Sequence, residues 1–228
     1  MVSNGHFSFM YLSTKYYSFA IILSIRNGIY ISDTLITNHH HMASIDELRA
    51  ERIKKLEALT ASGKMGYPAS STRTHEMSSI LTNFSVLESS QEKVIVTGRV
   101  MSSRGQGAIA FIDLYDGSAR MQVVIKLPES TEEVMNFYRE YVDTGDFIEI
   151  TGTVFVTKSG QQSILVSNVT MLSKSLLPLP DKYHGLQDEE LRMRERYLDI
   201  LTNPDLREIL EKKTKFWQVS RTLWNERG

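Results

Sequence analysis

The sequence predicts an all-β core, a five-stranded Greek-key barrel preceded by a helix. Three observations carry the prediction. Between Lys93 and Leu172 the chain runs in short apolar and β-branched stretches that alternate with polar residues, the period of strands with one buried face. Turns containing glycine separate those stretches. One helical segment falls between the third stretch and the fourth.

The chain has 228 residues, enough for one substantial core with appended pieces. Lysine and arginine number 26 against 27 acidic residues, a net charge of -1, so no broad field attracts a polyanion and any nucleic-acid contact must be local. The absence of cysteine excludes disulfide scaffolds, thiol nucleophiles and cysteine-type zinc sites, and permits a cytoplasmic setting.

The opening stretch, residues 1–41, is aromatic and apolar with no acidic residue before Asp33. Its most apolar part, Tyr16 to Ile25, falls far short of the roughly 20 residues that span a membrane. The start is weakly basic and lacks a small-residue cleavage pattern, which excludes a secretory signal. Scarce acidic residues admit an organellar presequence, although arginines are scarce too. The favoured expectation is a mobile or non-native extension. His39, His40 and His41 then form a polar tract, because three adjacent residues on flexible chain present no fixed ligand geometry.

Residues 42–90 read as a helix and a linker. Ser44 followed by Glu47 is a capping box, and it opens a stretch with apolar Leu48, Ile53, Leu56 and Leu59 that Gly63 terminates. Arg49, Arg52, Lys54 and Lys55 make the opposite side basic, a surface for nucleic acid or, the favoured reading, an ordinary solvated face. From Gly66 to Ser90 serine, threonine and Pro68 predict linker and a short irregular segment.

Residues 91–174 are the barrel. Its strands are expected at Val94–Met101, Ile109–Leu114, Arg120–Ile125, Asp146–Val156 and Ser163–Leu172, with the helix at Thr131–Tyr141. Arg104-Gly105-Gln106-Gly107, Asp116-Gly117-Ser118 and Lys158-Ser159-Gly160 supply the tight turns. Five strands with a helix after the third match the OB-fold, the small barrel that binds oligonucleotides.

Alternation sorts the faces. Val94, Val96, Gly98 and Val100 share one side with Ala110, Ile112, Leu114, Met121, Val123 and Ile125, the expected interior. Thr97, Arg99, Met101, Phe111, Asp113, Arg120 and Gln122 then point outward. An outward aromatic beside cations and an amide has the composition of a base-stacking platform. Phe111 would stack, Arg99 would meet phosphate or a base edge, and Gln122 would both donate and accept. Packing of Phe111 under the capping helix or a neighbouring domain is the alternative, since exposed aromatics are common.

Residues 175–187 form a connector stiffened by Pro178 and Pro180. Residues 188–228 begin a further domain with a charged helix, Asp188–Ile200, after which Asn203-Pro204 provides the cap and first-turn proline of the last helix. That helix carries a wide apolar stripe with Phe216, Trp217, Leu223 and Trp224 and lacks an obvious partner.

The run from Pro178 to Leu186, the run Arg192-Met-Arg-Glu-Arg-Tyr-Leu-Asp-Ile200, and Asn203-Pro204 closely resemble class II lysyl-tRNA synthetase. So do Gly98-Arg99-Val100, Phe111-Ile-Asp-Leu114 and Thr151-Gly-Thr-Val-Phe155, the likeness covering roughly Ile45 to Gly228. The resemblance implies an anticodon-binding barrel joined to an α+β catalytic domain that uses ATP and magnesium to charge tRNA(Lys), in a homodimer. Only the start of that catalytic domain would lie in this chain, which alone is expected to be inactive, with no catalytic or metal residues to name.

The resemblance further implies that Phe111 stacks on an anticodon base and that Arg99 and Gln122 lie in the same uridine-rich pocket. It places Gln161 where the family usually has a glutamate, and Ser103 and Ala108 where the family has more basic residues. A glutamate only accepts whereas Gln161 also donates, so base discrimination is expected to be looser and phosphate attraction weaker. A non-catalytic OB-fold paralogue that binds RNA or regulates, and a protein-interaction barrel with Phe111 covered, are the competing expectations.

Overall fold

The computed structural model describes residues 44–180 and 185–228. The expectations for residues 1–41, and the Asp181–His184 part of the connector run, lie outside the described residues. In chain order the elements are α1 (Ile45–Ala61), α2 (Met77–Thr82), α3 (Phe84–Ser90), β1 (Lys93–Gln106), β2 (Ile109–Tyr115), β3 (Arg120–Lys126), α4 (Glu132–Tyr141), β4 (Phe147–Val156), β5 (Gln162–Ser173), α5 (Glu189–Arg194), α6 (Arg196–Thr202) and α7 (Pro204–Arg227). No described helix is long and apolar enough to cross a membrane.

The strands close into a barrel in the order β1-β2-β3-β5-β4. All neighbours are antiparallel except β3 and β5, the parallel pair that α4 makes possible by carrying the chain over between β3 and β4. Every residue assigned to the interior from alternation is buried, Val94 through Ile125, and Ile148, Ile150, Val154, Ile164, Val166 and Met171 complete the set from β4 and β5. Each Val, Ile, Leu and Met among them contributes about 1.5–3 kcal/mol through its removal from water. Gly152 is required where β4 bends against β5, because a Cβ there would lie 2.2 Å from the Leu165 carbonyl oxygen.

α1 begins as its capping box dictates: Ser44 Oγ accepts from the Glu47 amide at 3.2 Å, and Glu47 Oε2 accepts from the Ser44 amide at 2.7 Å. Its basic side is neither solvated throughout nor available as a whole. Arg52 donates to the carbonyls of Ser175, Leu177 and Thr144, and Lys55 pairs with Asp143 at 2.6 Å. These bonds fasten the helix to the loops that flank β4 and β5.

Beneath α1 lies a buried charge network. Lys174, 3% exposed, spends its three ammonium protons on the Tyr141 carbonyl, Asp143 and Asp146 at 2.6–2.7 Å. Asp146 also accepts from the Asp143 and Ser175 amides, so the cluster leaves no donor idle. Burial pushes the Asp143 carboxyl up, but the bonds from Lys174 and Lys55 outweigh that and hold it below its usual value.

The stretch expected to be linker corrects that reading. Residues 77–90 form α2 and α3, and Met77, Ile80, Phe84 and Leu87 enter the same core as the barrel interior. Their apolar positions stand among serine and threonine, and α2 takes its N-terminal partner from outside: Asp116 Oδ2 accepts from the Met77 amide at 2.8 Å. That side chain comes from the turn between β2 and β3, so no local capping signal marks the helix.

The single charged helix expected after Asp188 is broken at Glu195 into α5 and α6. Asp199, buried, ties the two together by accepting from Arg192 and Arg196 at 3.1 and 2.9 Å. α7 starts as expected, with Asn203 Oδ1 accepting from the Leu206 amide and Pro204 in its first turn. No α7 residue is buried among the described residues, and Trp224 is 73% exposed.

Candidate nucleic-acid interface

β1 carries a bulge that decides which side chains meet on the outer face. Val100 pairs with Leu114, the next partnership is Ser102 with Asp113, and Met101 is the extra residue. Beyond it the alternation shifts by one, so Ser102 and Arg104 face outward, where an unbroken strand would aim them inward. β1 also runs through Gln106, so the residues Arg104-Gly105-Gln106 expected in the turn belong to the strand and the turn is Gly107-Ala108. Gly105 allows the hairpin to close, since a Cβ there would come within 2.7 Å of the Ile109 carbonyl oxygen.

The register therefore lays out rows across the sheet. One row is Arg104, Phe111, Val124 and Leu165 on β1, β2, β3 and β5. The adjoining row is Ser102, Asp113, Gln122 and Ser163. Phe111 is half-buried, with the Arg104 guanidinium 5.7 Å from its ring centroid and Val124, 2% exposed, as its cross-strand neighbour. Val124 lies on the outer side of the sheet and is not part of the barrel core. It is the ring's cross-strand neighbour but is almost fully covered, so the platform is the Phe111 ring itself.

The structure divides the four expected site residues. Phe111 and Gln122 lie diagonally across β2 and β3, a spacing of roughly 7–8 Å at which both can touch one base. Gln161 is exposed at the mouth of the β4–β5 hairpin, its backbone pinned by bonds with Thr157 at 2.9 and 3.0 Å. Two residues on, Ser163 is the direct partner of Gln122.

Arg99 stands apart. It lies opposite Tyr115 on β2 and Phe147 on β4, four positions along β2 from Phe111. Its guanidinium sits 4.4 Å from the Phe147 ring centroid, and burial draws its pKa down while Tyr197 of α6 opposes the change. Arg120 and Arg207 both approach the Tyr115 ring, at 5.5 and 5.4 Å, and Arg207 also donates to the Gly117 carbonyl. Arg99 thus belongs to the end of the barrel where α6 and α7 meet it, and Phe111 does not flank it as alternation suggested.

Arg104 is the cation that spacing missed. The signal was present in part, since Ser102-Ser103-Arg104 breaks the apolar alternation of β1, but a bulge cannot be told from a turn without the partner strand. The polar side chains of Ser102, Asp113 and Gln122 make no hydrogen bond or ion pair among the described residues. A stacking ring, an adjacent guanidinium and three uncommitted polar groups in a row can hold a flat heterocycle and read its edge.

Comparison with known proteins agrees with that geometry. Residues 94–172 match the OB-fold nucleic acid binding domain family. The lysine--tRNA ligase of Clostridium botulinum (strain Loch Maree / Type A3) is 38% identical over 197 residues, which is 86% of this chain and 38% of that protein. That of Roseiflexus sp. (strain RS-1) is 37% identical over 185 residues, 81% of this chain and 38% of its own length. That of Clostridium tetani (strain Massachusetts / E88) is 40% identical over 177 residues, 77% of this chain and 35% of its own. The chain thus spans between 35% and 38% of the length of these curated relatives. The closed five-stranded barrel, the OB-fold match over its strands and this identity over most of the chain make it similar to one part of the lysine--tRNA ligases.

Proposed function

We propose that the outer face around Phe111 binds the anticodon loop of tRNA(Lys), as the recognition part of an enzyme that activates lysine with ATP and transfers it to that tRNA. The observation that carries the proposal is the row Ser102–Asp113–Gln122, uncommitted beside a half-buried aromatic that has a guanidinium at 5.7 Å. The names of the relatives supply the substrate, and the OB-fold match supports the mode of binding.

Each part of the face has a defined task. Phe111 offers its ring to one base, worth about 1–3 kcal/mol. Arg104 adds charge next to that ring and suits the phosphate of the same nucleotide. Gln122 reads the base edge with its amide, and Gln161 reaches the site from the β4–β5 hairpin. ATP and Mg2+ belong to the adenylate step of the whole enzyme. Among the described residues no group of three or more His, Cys, Asp or Glu side chains is placed to share a cation. A cytoplasmic homodimer is the assembly proposed for the whole enzyme.

Titration of a hairpin RNA bearing a uridine-rich lysine anticodon tests the proposal, with a scrambled loop on the same stem as control. Phe111→Ala is expected to weaken the cognate hairpin by about 1–3 kcal/mol. Its loss in urea stability is expected to be well below the roughly 3–5 kcal/mol of a truncated core phenylalanine. Unchanged binding together with a core-sized loss of stability would show that Phe111 holds up the fold instead.

A further inference from the structure

We propose that Asp113 is a specificity-determining residue of this face, selecting bases whose ring nitrogen carries a hydrogen over bases whose ring nitrogen is bare. The inference rests on the reading of the Phe111 face as an RNA site. Asp113 is two residues from Phe111 on β2, on the same outward side, and is the direct cross-strand partner of Gln122. Its other neighbour in the row is Ser102. Although half-buried, its carboxylate has no partner among the described residues: it forms no hydrogen bond and no ion pair with them, and Arg104 sits one row away over Phe111.

A carboxylate in that position has a structural alternative only if it caps a turn or neutralises a cation. Asp116 does the first, accepting from the Ser118, Ala119 and Met77 amides, and Asp143 does the second, pairing with Lys55 and Lys174. Asp113 does neither, at the centre of a surface otherwise suited to a polyanion. Set there it repels phosphate, so the chemistry it can serve is acceptance of a base N–H.

The neighbouring amide makes the recognition directional. Uracil presents an acceptor oxygen next to a ring N–H, whereas cytosine presents an amino donor next to a bare ring nitrogen. Gln122 donating beside Asp113 accepting matches the first order. Against the second, one of the two must face a like group: the carboxylate meets the lone pair of the ring nitrogen, or the pair must shift out of register with the stacked ring. The Asp113 carboxylate cannot turn to become a donor, but an asparagine amide at the same place can.

The full 228-residue chain is titrated with hairpin RNAs of one stem, differing only in a single loop base that is uracil or cytosine at the position Phe111 recognises. That position is identified first as the one whose replacement by an abasic site lowers affinity for the parent chain but not for Phe111→Ala. The parent chain is expected to prefer uracil, and Asp113→Asn to reduce that preference about fivefold to tenfold, mainly by binding the cytosine hairpin better. Its urea midpoint is expected to stay at the parent value. A uracil-to-cytosine ratio unchanged in Asp113→Asn overturns the inference. Should the parent chain bind no hairpin, or Phe111→Ala bind all of them as the parent does, the reading of the face itself fails, a result distinct from failure at Asp113 alone.

Discussion

Two ends of the same barrel use charged and polar side chains in opposite ways. Beneath α1, Arg52, Lys55, Lys174, Asp143 and Asp146 are consumed by one another and by backbone carbonyls, and Lys174 and Asp146 are almost wholly removed from water. Around Phe111, Ser102, Asp113 and Gln122 face outward with no partner among the described residues. The contrast shows that half of the basic run of α1, Arg52 and Lys55, which by composition could lie along nucleic acid, is spent on folding. The less conspicuous Arg104 sits where a ligand would be held.

The largest effect expected from this contrast is at the buried end. Lys174→Ala leaves Asp146 charged and buried with its strongest partner gone, and is expected to lower stability by about 3–5 kcal/mol. Urea unfolding measures the loss; a change below about 1 kcal/mol would mean that water reaches the cluster readily and that the network is not a structural fastening. Hairpin affinity per folded molecule is expected to stay the same.

Next in size is the separation of the two arginines. Arg104→Ala is expected to weaken hairpins of several loop sequences by about 1 kcal/mol and to flatten the salt dependence, since a phosphate contact carries no sequence information. Arg99→Ala is expected to leave hairpin affinity within error while removing its contact with Phe147 and the charge beside Tyr197. Faster amide exchange in α6, read by mass spectrometry, is the expected signature of that second variant. The opposite pattern, with Arg99 carrying the salt dependence, would restore the assignment made from strand alternation.

The smallest effect is expected from acid. Asp143 is held below its usual value in the folded chain, so the stability it adds is complete above the unfolded aspartate value of about 3.9. That contribution is lost as pH falls through the lower folded value. Asp116 behaves likewise, because the amides of Met77, Ala119 and Ser118 outweigh its burial. Urea midpoints from pH 7 to pH 2 should fall on the acid side, and Asp143→Asn should show a shallower fall than the parent. Equal acid slopes for the two would exclude the Asp143 pairings as a source of pH dependence.

What was legible in the sequence was whatever depends on neighbours along the chain. Period-two alternation placed all ten expected interior positions of the first three strands correctly, because a pleated strand sends successive side chains to opposite faces. The capping box at Ser44 and Glu47 and the Asn203-Pro204 start of α7 were equally local, each a side chain meeting an amide three residues away. Phe111 could be named as outward for the same reason, though not its neighbours.

Only the tertiary structure decided who those neighbours are. The bulge at Met101 shifts the phase of β1, and it exists only in relation to β2, so Arg104 reaches Phe111 by a pairing that no single-strand pattern contains. α2 is capped from the β2–β3 turn, 39 residues on, and α1 is held by loops as far as 125 residues away, bonds whose two ends share no sequence window. The sequence determined which faces are apolar and where the turns fall, since those follow from local sterics and solvation. The closed barrel decided which polar groups are satisfied and which stay open, because hydrogen bonds and ion pairs depend on distances of a few ångströms between segments far apart in the chain.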